Sequence, residues 1–210
     1  MKAILSDFDG VLVDSAASVM RGWRLWATAN GVPHELLERN LHGRPGADVI
    51  AELAPGLDPA TENVEVERLQ ASDSDDVVAL PGAADLLADP PAPVAVVTSG
   101  TLTLVRSRLA PAGLEEPAVL ITVDRVTRGK PDPEGYLMAA AELGVAPADC
   151  VVLEDAPAGI EAGLAAGAHV VGIATTHEPS ELGRADEVFA SVAEWLAALR
   201  KHSARPSAPR

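Results

Sequence analysis

Alternation between short apolar runs and helical stretches is the feature that most constrains the fold of this chain. After residue 80, apolar runs occupy residues 94–97, 119–122, 151–153 and 170–173. The stretches between them have helical patterns and end at glycines that commonly stop helices, Gly113, Gly144 and Gly167. Strands and helices in this order are typical of a parallel sheet with helices on both faces. Since residues 3–5 supply one more strand, the sequence predicts an α/β fold with a Rossmann-like, doubly wound, mostly parallel sheet.

Residues 15–79 differ from the rest, because they contain helical patterns and no convincing strand. Ser15 can cap a first helix, whose apolar face carries Val19, Trp23 and Trp26. Two tryptophans on one helical face favour packing between helices of the segment. Further helical patterns cover residues 34–39, 46–53 and 60–71.

These patterns predict a discontinuous core, built from residues 1–14 and 80–200. Residues 15–79 form a small all-helical cap, inserted after the first strand. Residues 201–210 carry no apolar side chain larger than those of Ala and Pro, which predicts a disordered tail.

Polar side chains follow the predicted strands, at the edge where open α/β sheets bind ligands. They are carboxylates, hydroxyls and one ammonium group, in the order Asp7, Asp9, Thr98-Ser99-Gly100, Lys130 and Glu154-Asp155. Taken singly, each has an ordinary explanation as a turn residue, a helix N-cap or a solvated lysine. As a set they predict a phosphate site, because carboxylates bind Mg²⁺ while hydroxyl, N–H and ammonium groups bind phosphate oxygens.

The four motifs, in this order, resemble the signatures of the haloacid dehalogenase superfamily of phosphotransferases. The stretches at residues 42–44, 96–101 and 154–160 resemble the branch that contains glycerol-phosphate, 2-deoxyglucose-6-phosphate and bacterial sugar phosphatases. The resemblance implies a phosphoric monoester hydrolase that acts on a small sugar or polyol phosphate.

The resemblance also implies roles for the motif residues. Asp7 is the expected nucleophile, which forms an aspartyl-phosphate, and Asp9 is the expected acid and base. The dehalogenases of the superfamily lack an Asp at the position of Asp9, so its presence points to phosphate esters. The expected Mg²⁺ ligands are Asp7, the Asp9 carbonyl, Asp155 and, directly or through water, Glu154. Phosphate oxygens are expected to contact Thr98, Ser99, Gly100 and Lys130.

Substrate contacts from the cap are expected at His42, Arg44 and Asp48. His42 and Arg44 lie in a predicted loop between helices, where a guanidinium can bind a sugar hydroxyl or an anionic group. Asp48 is a candidate acceptor for a hydroxyl. A packing or surface role explains each of these residues equally simply.

Charge and cysteine content restrict the expected partners and compartment. The formal net charge is −15, and residues 51–80 hold eight acidic residues against Arg68 alone. So acidic a chain is not expected to bind nucleic acid or a membrane surface. The single Cys150 excludes an intrachain disulfide and fits a reducing compartment, so we expect a cytoplasmic protein. The family resemblance implies a monomer.

Three other functions fit parts of the pattern. A β-phosphoglucomutase uses the same core, but this chain has Val19 and Gly46 where that enzyme is expected to carry a His and an Arg. A signalling receiver domain combines similar residues in about half the length and without a helical insert. A catalytically silent binding protein could keep the fold. It would have little reason to keep every motif carboxylate, because buried like charges are costly without a metal.

Overall fold

Six parallel strands form the main sheet of the computed structural model, which describes residues 1–41 and 46–203. They are β1 (Ala3–Ser6), β4 (Val94–Val97), β5 (Val119–Ile121), β6 (Cys150–Glu154), β7 (His169–Ile173) and β8 (Glu187–Phe189). Two shorter strands, β2 (Val13–Asp14) and β3 (Val78–Ala79), pair antiparallel as a separate ribbon. The strand order β5-β4-β1-β6-β7-β8 and the covering helices confirm the predicted α/β fold.

Strand β1 lies at the centre of the sheet, between β4 and β6. Leu5 is in register with Ala95 on one side and with Val152 on the other. The chain moves outward from β1 in both directions, so the strand order reverses at this point. A crevice for ligands opens at such a reversal, beyond the carboxyl ends of the strands.

Helices cover both faces of the sheet and also form the inserted segment. In chain order they are α1 (Ala16–Ala29), α2 (His34–Leu41), α3 (Gly46–Leu53), α4 (Pro59–Ala71), α5 (Ala83–Ala88), α6 (Leu102–Leu109), α7 (Glu134–Glu142), α8 (Pro157–Ala166) and α9 (Val192–Ser203). Short 3₁₀ helices occupy Val123–Arg125 and Pro147–Asp149.

Two apolar layers enclose the sheet because strand side chains alternate between its faces. Ile4 and its equivalents in neighbouring strands pack with α5, α6 and α9. Ala3 and Leu5 point the other way and pack with α7 and α8. Both faces of the sheet are therefore buried under helices. This packing fixes the positions of the strand ends that carry the polar motifs.

Helices α1–α4 bury an apolar cluster of their own, which includes Trp23, Trp26 and Ile50. The two tryptophan rings meet edge to face, with centroids 5.5 Å apart and an interplanar angle of 84°. This confirms the interpretation that both tryptophans pack inside the inserted segment. The segment is joined to the core at the β2/β3 ribbon, where Val13 pairs with Ala79.

Three details differ from the sequence prediction. The segment expected to be all-helical up to residue 79 ends in strand β3, whose two residues are too few to produce a recognisable apolar pattern. Strand β8 was not predicted, because it has only three residues, two of them exposed. Helix α9 continues to Ser203, so the first three residues of the predicted tail are helical. Within the described ranges, no helix combines the length and the apolar character needed to cross a membrane.

Candidate active site

The predicted motif residues meet where β1, β4 and β6 end. Asp7 follows β1, and its N–H donates to the carbonyl of Leu153 in β6 at 2.9 Å. Thr98 follows β4, Glu154 is the last residue of β6, and Asp155 comes next. Because adjacent parallel strands end at the same edge, residues about 150 positions apart in sequence become neighbours.

Asp7, Glu154 and Asp155 form a cluster of carboxylates. One oxygen from each lies within 4.8 Å of those of the other two. Among residues 1–41 and 46–203, this is the one group of three His, Cys, Asp or Glu side chains close enough to share a metal ion. Glu154 is fully buried and Asp155 is 5% exposed, so water screens their mutual repulsion poorly.

Lys130 lies within the cluster and partly balances its charge. Its ammonium group is 2.9 Å from Asp7 Oδ1 and 2.6 Å from Glu154 Oε1, and it donates to the carbonyl of Val97 at 3.1 Å. These contacts use its three N–H donors. A phosphate bound by Lys130 would therefore have to share a donor with the protein, a condition that the sequence did not reveal.

The proton affinities of these groups follow from burial and from the neighbouring charges. Burial, and then the charge of Glu154, raises the pKa of Asp7 well above its ordinary value. The same two causes raise the pKa of Asp155 to about 6. Burial alone would lower the pKa of Lys130, but the charges of Asp7 and Glu154 raise it instead. The Lys130 ammonium group therefore keeps its charge, whereas the raised pKa values of Asp7 and Asp155 favour their protonated forms.

A divalent cation fits this cluster on two grounds. Three carboxylates face one ammonium group, so two negative charges are uncompensated when all the groups are ionised. The donors are all oxygens, as hard cations prefer. A bound cation would favour the ionised forms of Asp7 and Asp155, because metal binding displaces protons from its ligands.

Glu154 is fixed by its surroundings. Tyr136 Oη donates to Glu154 Oε1 at 2.6 Å, and both side chains are buried. A Cβ at Gly159 would lie 1.8 Å from that same oxygen, so only glycine fits there. Neither contact was predicted: Tyr136 belongs to no motif, and Gly159 lies within the family-like stretch 154–160 without a role assigned to it.

Thr98, Ser99 and Lys130 line one small cavity, whereas Gly100 does not, so phosphate binding by these residues stays a prediction. Thr98 is buried, and its Oγ1 accepts a hydrogen bond from Gly100 N–H at 3.0 Å. The N-cap of α6 is Thr101, so Thr98 is not the helix cap that the sequence alone allowed. Its hydroxyl proton is therefore still available for a phosphate oxygen.

The side chain of Asp9 has partners that the sequence did not predict. Asp9 Oδ1 accepts from Ser15 Oγ at 2.6 Å and pairs with Arg108 Nη1 at 2.5 Å. Ser15 occupies the predicted N-cap position of α1, but its side chain makes no capping hydrogen bond. The hydroxyl binds the carboxylate of Asp9 instead.

Gly10 and two threonines complete the site. Gly10 has φ +77°, and a Cβ there would lie 2.1 Å from Asp155 Oδ2. Thr176 Oγ1 donates to that oxygen, and Thr175 Oγ1 donates to the carbonyl of Gly10. Both threonines follow β7. Four neighbouring strands, β4, β1, β6 and β7, therefore have site residues at their carboxyl ends.

The predicted cap contacts are only partly described. His42 and Arg44 lie outside the described residues. Asp48 lies exposed in the first turn of α3. A substrate contact from any of the three stays a prediction.

Known proteins resemble this chain over most of its length. A sequence model of the family described as haloacid dehalogenase-like hydrolase matches residues 1–167. Hexitol phosphatase A from Escherichia coli (strain K12) is 40% identical over 197 residues, which cover 91% of each chain. Glycerol-1-phosphate phosphohydrolase 2 from Saccharomyces cerevisiae is 35% identical over 196 residues, 85% of this chain and 76% of the relative.

A solved structure agrees with these relatives. CbbY from Rhodobacter sphaeroides, determined in complex with phosphate, has a TM-score of 0.79 and 28% sequence identity. The match covers 95% of this chain and 99% of that one. The family predicted from the four motifs is confirmed, and the chain belongs to the haloacid dehalogenase-like hydrolases.

Proposed function

We propose that this protein is a Mg²⁺-dependent phosphatase, which hydrolyses a small sugar or polyol phosphate through an aspartyl-phosphate. One observation carries the proposal: the carboxylates of Asp7, Glu154 and Asp155 share one oxygen-rich site, next to a cavity lined by Thr98 and Lys130. Carboxylates for a cation and donors for a phosphate are what phosphoryl transfer requires.

In the first step, Asp7 attacks phosphorus as the ester bond to the alcohol breaks. Phe8 N–H and Lys130 both donate to Asp7 Oδ1, at 2.7 and 2.9 Å, so we assign the attack to Oδ2. Asp9 gives a proton to the departing alcohol oxygen, since an alkoxide is a poor leaving group. Asp7 then carries the phosphoryl group.

In the second step, Asp9 takes a proton from a water molecule, which attacks the phosphoryl group of Asp7. The acyl-phosphate bond breaks, inorganic phosphate leaves, and Asp7 returns as a free carboxylate. Asp7, the Asp9 carbonyl and Asp155 would hold the Mg²⁺ ion, together with Glu154, directly or through water. The ion would offset the repulsion between the Asp7 carboxylate and the anionic substrate. Thr98, Ser99, Gly100 and Lys130 would hold the phosphate oxygens.

The substrate class rests on the relatives and on the division of the chain. One relative is named for a hexitol phosphate and another for glycerol 1-phosphate, both phosphorylated polyols. We propose that the core, residues 1–14 and 80–200, carries out the chemistry, and that the cap, residues 15–79, selects the alcohol. His42, Arg44 and Asp48 are our candidates for contacts with its hydroxyl groups. We further propose that the enzyme acts as a monomer.

The test is phosphate release from a panel of hexitol phosphates, glycerol 1-phosphate, sugar phosphates and nucleoside monophosphates with Mg²⁺. Wild type should prefer a polyol or sugar phosphate, and Asp7→Asn should abolish turnover. Asp89→Asn, at the exposed position that ends α5, is the matched control and should retain full activity. EDTA should abolish activity, and Mg²⁺ should restore it.

Two outcomes would contradict the proposal. Turnover that survives Asp7→Asn would require another nucleophile. An isomeric sugar phosphate with little free phosphate would instead identify a mutase. Mass spectrometry of the products separates the mutase from the phosphatase.

A further inference from the structure

Arg108 is an arginine in α6 that is 2% exposed and lies against Asp9. Its Nη1 is 2.5 Å from Asp9 Oδ1, and its Nη2 donates to Gln70 Oε1 at 2.9 Å. Its Nε is buried and has no hydrogen-bond partner within the described part of the chain. A guanidinium is costly to bury unless its charge is paired, so the contact with Asp9 is what makes this position tolerable.

The contacts of Asp9 select one of its two oxygens. Arg108 and Ser15 both donate to Oδ1, so the proton exchanged with the substrate belongs on Oδ2. The side chain of Asp9 is 31% exposed, which leaves it open toward the crevice. Two donors from different elements therefore hold the carboxylate in one orientation, as an acid and base needs.

Gln70 connects this arrangement to the inserted helices. Gln70 lies in α4 and packs closely against Gly22 of α1, where a Cβ would be 2.4 Å from Gln70 Cγ. The backbone carbonyl of Gln70 accepts a hydrogen bond from Ser18 Oγ. Just beyond the end of α4, Ser74 Oγ donates to the carbonyl of Ser107, next to Arg108. The packing of α4 against α6 therefore determines the position of the Arg108 guanidinium, which in turn holds Asp9.

We propose that Arg108 is a positioning residue, which holds the Asp9 side chain in place for proton transfer. Through Gln70, Arg108 also couples the orientation of Asp9 to the packing of the cap against the core. The proposal rests on the function proposed above, in which Asp9 protonates the leaving alcohol. It adds a residue outside the four motifs to the machinery of that step.

The test compares two leaving groups. Departure of an alkoxide from the alkyl phosphate that wild type cleaves fastest needs a proton from Asp9. Departure of 2,4-dinitrophenolate does not, because that anion is already stable. The ratio kcat/KM reports these departures, since phosphoryl transfer to Asp7 is the first irreversible step. A group that acts through Asp9 must affect the two substrates unequally.

We expect Arg108→Gln to lower kcat/KM about 10- to 100-fold for the alkyl phosphate, below the full contribution of an acid-base group. For 2,4-dinitrophenyl phosphate the change should stay within about threefold, since no proton is required. Added to Asp9→Asn, Arg108→Gln should cause no further loss for the alkyl phosphate. Arg106→Gln removes the same charge from an exposed position of α6 and should leave both substrates unaffected.

A second variant covers the case in which Arg108→Gln does not fold. Arg108→Lys keeps the positive charge but cannot reach Asp9 and Gln70 together, so it should show a smaller loss with the same bias toward the alkyl phosphate. Circular dichroism and thermal unfolding establish that each variant is folded before its kinetics are measured.

Equal losses on both phosphates would overturn the proposal, because they indicate a purely structural role. A further loss in the double variant would do the same. Failure of the proposed function looks different: wild type would release no phosphate from any alkyl phosphate, or Asp9→Asn would leave kcat/KM for it intact. That result would refute both proposals at once.

Discussion

Tyr136→Phe removes one oxygen atom from the buried support of Glu154 and leaves the ring in place. The hydroxyl donates to Glu154 Oε1 at 2.6 Å. Tyr136 is 1% exposed and Glu154 is fully buried, so water cannot take over the lost contact. The ring also lies under the ammonium group of Lys130, 5.3 Å from its centroid, a contact that phenylalanine retains.

The size of the effect follows from these contacts. A hydrogen bond to a charged group contributes about 1.5 to 3 kcal/mol. Lys130 still contacts the same oxygen at 2.6 Å, so the lower half of that range applies, about 2 kcal/mol. For a chain of this length, about 1 kcal/mol shifts Tm by about 2–4 °C, so we expect a decrease of about 4–8 °C.

The assay is thermal unfolding of the metal-free protein, followed by circular dichroism or calorimetry. Thr28→Val is the control, because it removes an exposed hydroxyl from α1 and should change stability by less than about 0.5 kcal/mol. A Tm for Tyr136→Phe within about 1 °C of wild type would refute the reasoning, since that shift corresponds to less than about 0.5 kcal/mol.

Three further predictions concern the same site. Gly10→Ala places a Cβ 2.1 Å from Asp155 Oδ2 at a backbone φ of +77°, so the rise in Tm on adding Mg²⁺ should largely disappear. Lys130→Met leaves buried carboxylates without their partner and should lower the free energy of unfolding of the metal-free protein by about 3–5 kcal/mol in urea titrations. Because the pKa of Asp155 is about 6 in the fold against 3.8 ordinarily, the folded metal-free protein binds a proton that the unfolded chain has released. Its stability relative to Asp155→Asn should therefore fall as pH rises from 3.8 to about 6, which calorimetry at several pH values would measure; no pH dependence of that difference would contradict the assignment.

Sequence reasoning identified the site residues whose signal is local. Asp7, Thr98 and Asp155 each follow an apolar run, and a parallel sheet brings such positions together whatever the loop lengths. The edge of the sheet at which these side chains meet could be predicted without knowing the strand order. The short strands β3 and β8 were not predicted, because two or three residues give no recognisable apolar pattern.

The partners of Asp9 could not be predicted, because their signal is not local. Arg106 and Arg108 are two positions apart in α6, yet one pairs with Glu116 at the surface and the other is buried beside Asp9, 99 positions away. Nothing in their neighbouring residues distinguishes them. Thr176 is likewise 21 positions from the carboxylate it contacts. Such contacts depend on how helices and loops are seated on the sheet.

The β2/β3 ribbon has a consequence for how proteins of this architecture can diversify. The chain leaves the core at Val13–Asp14 and returns at Val78–Ala79, and these two crossings are hydrogen-bonded to each other. Leu80 N–H then donates to the carbonyl of Leu12, which closes the junction. An insertion clamped at its two ends in this way can change its length and side chains without shifting the register of β1. Most of the insert can therefore be exchanged while Asp7, on the strand β1 side of this junction, stays in place; a position such as Gln70, which contacts Arg108, is less free to change.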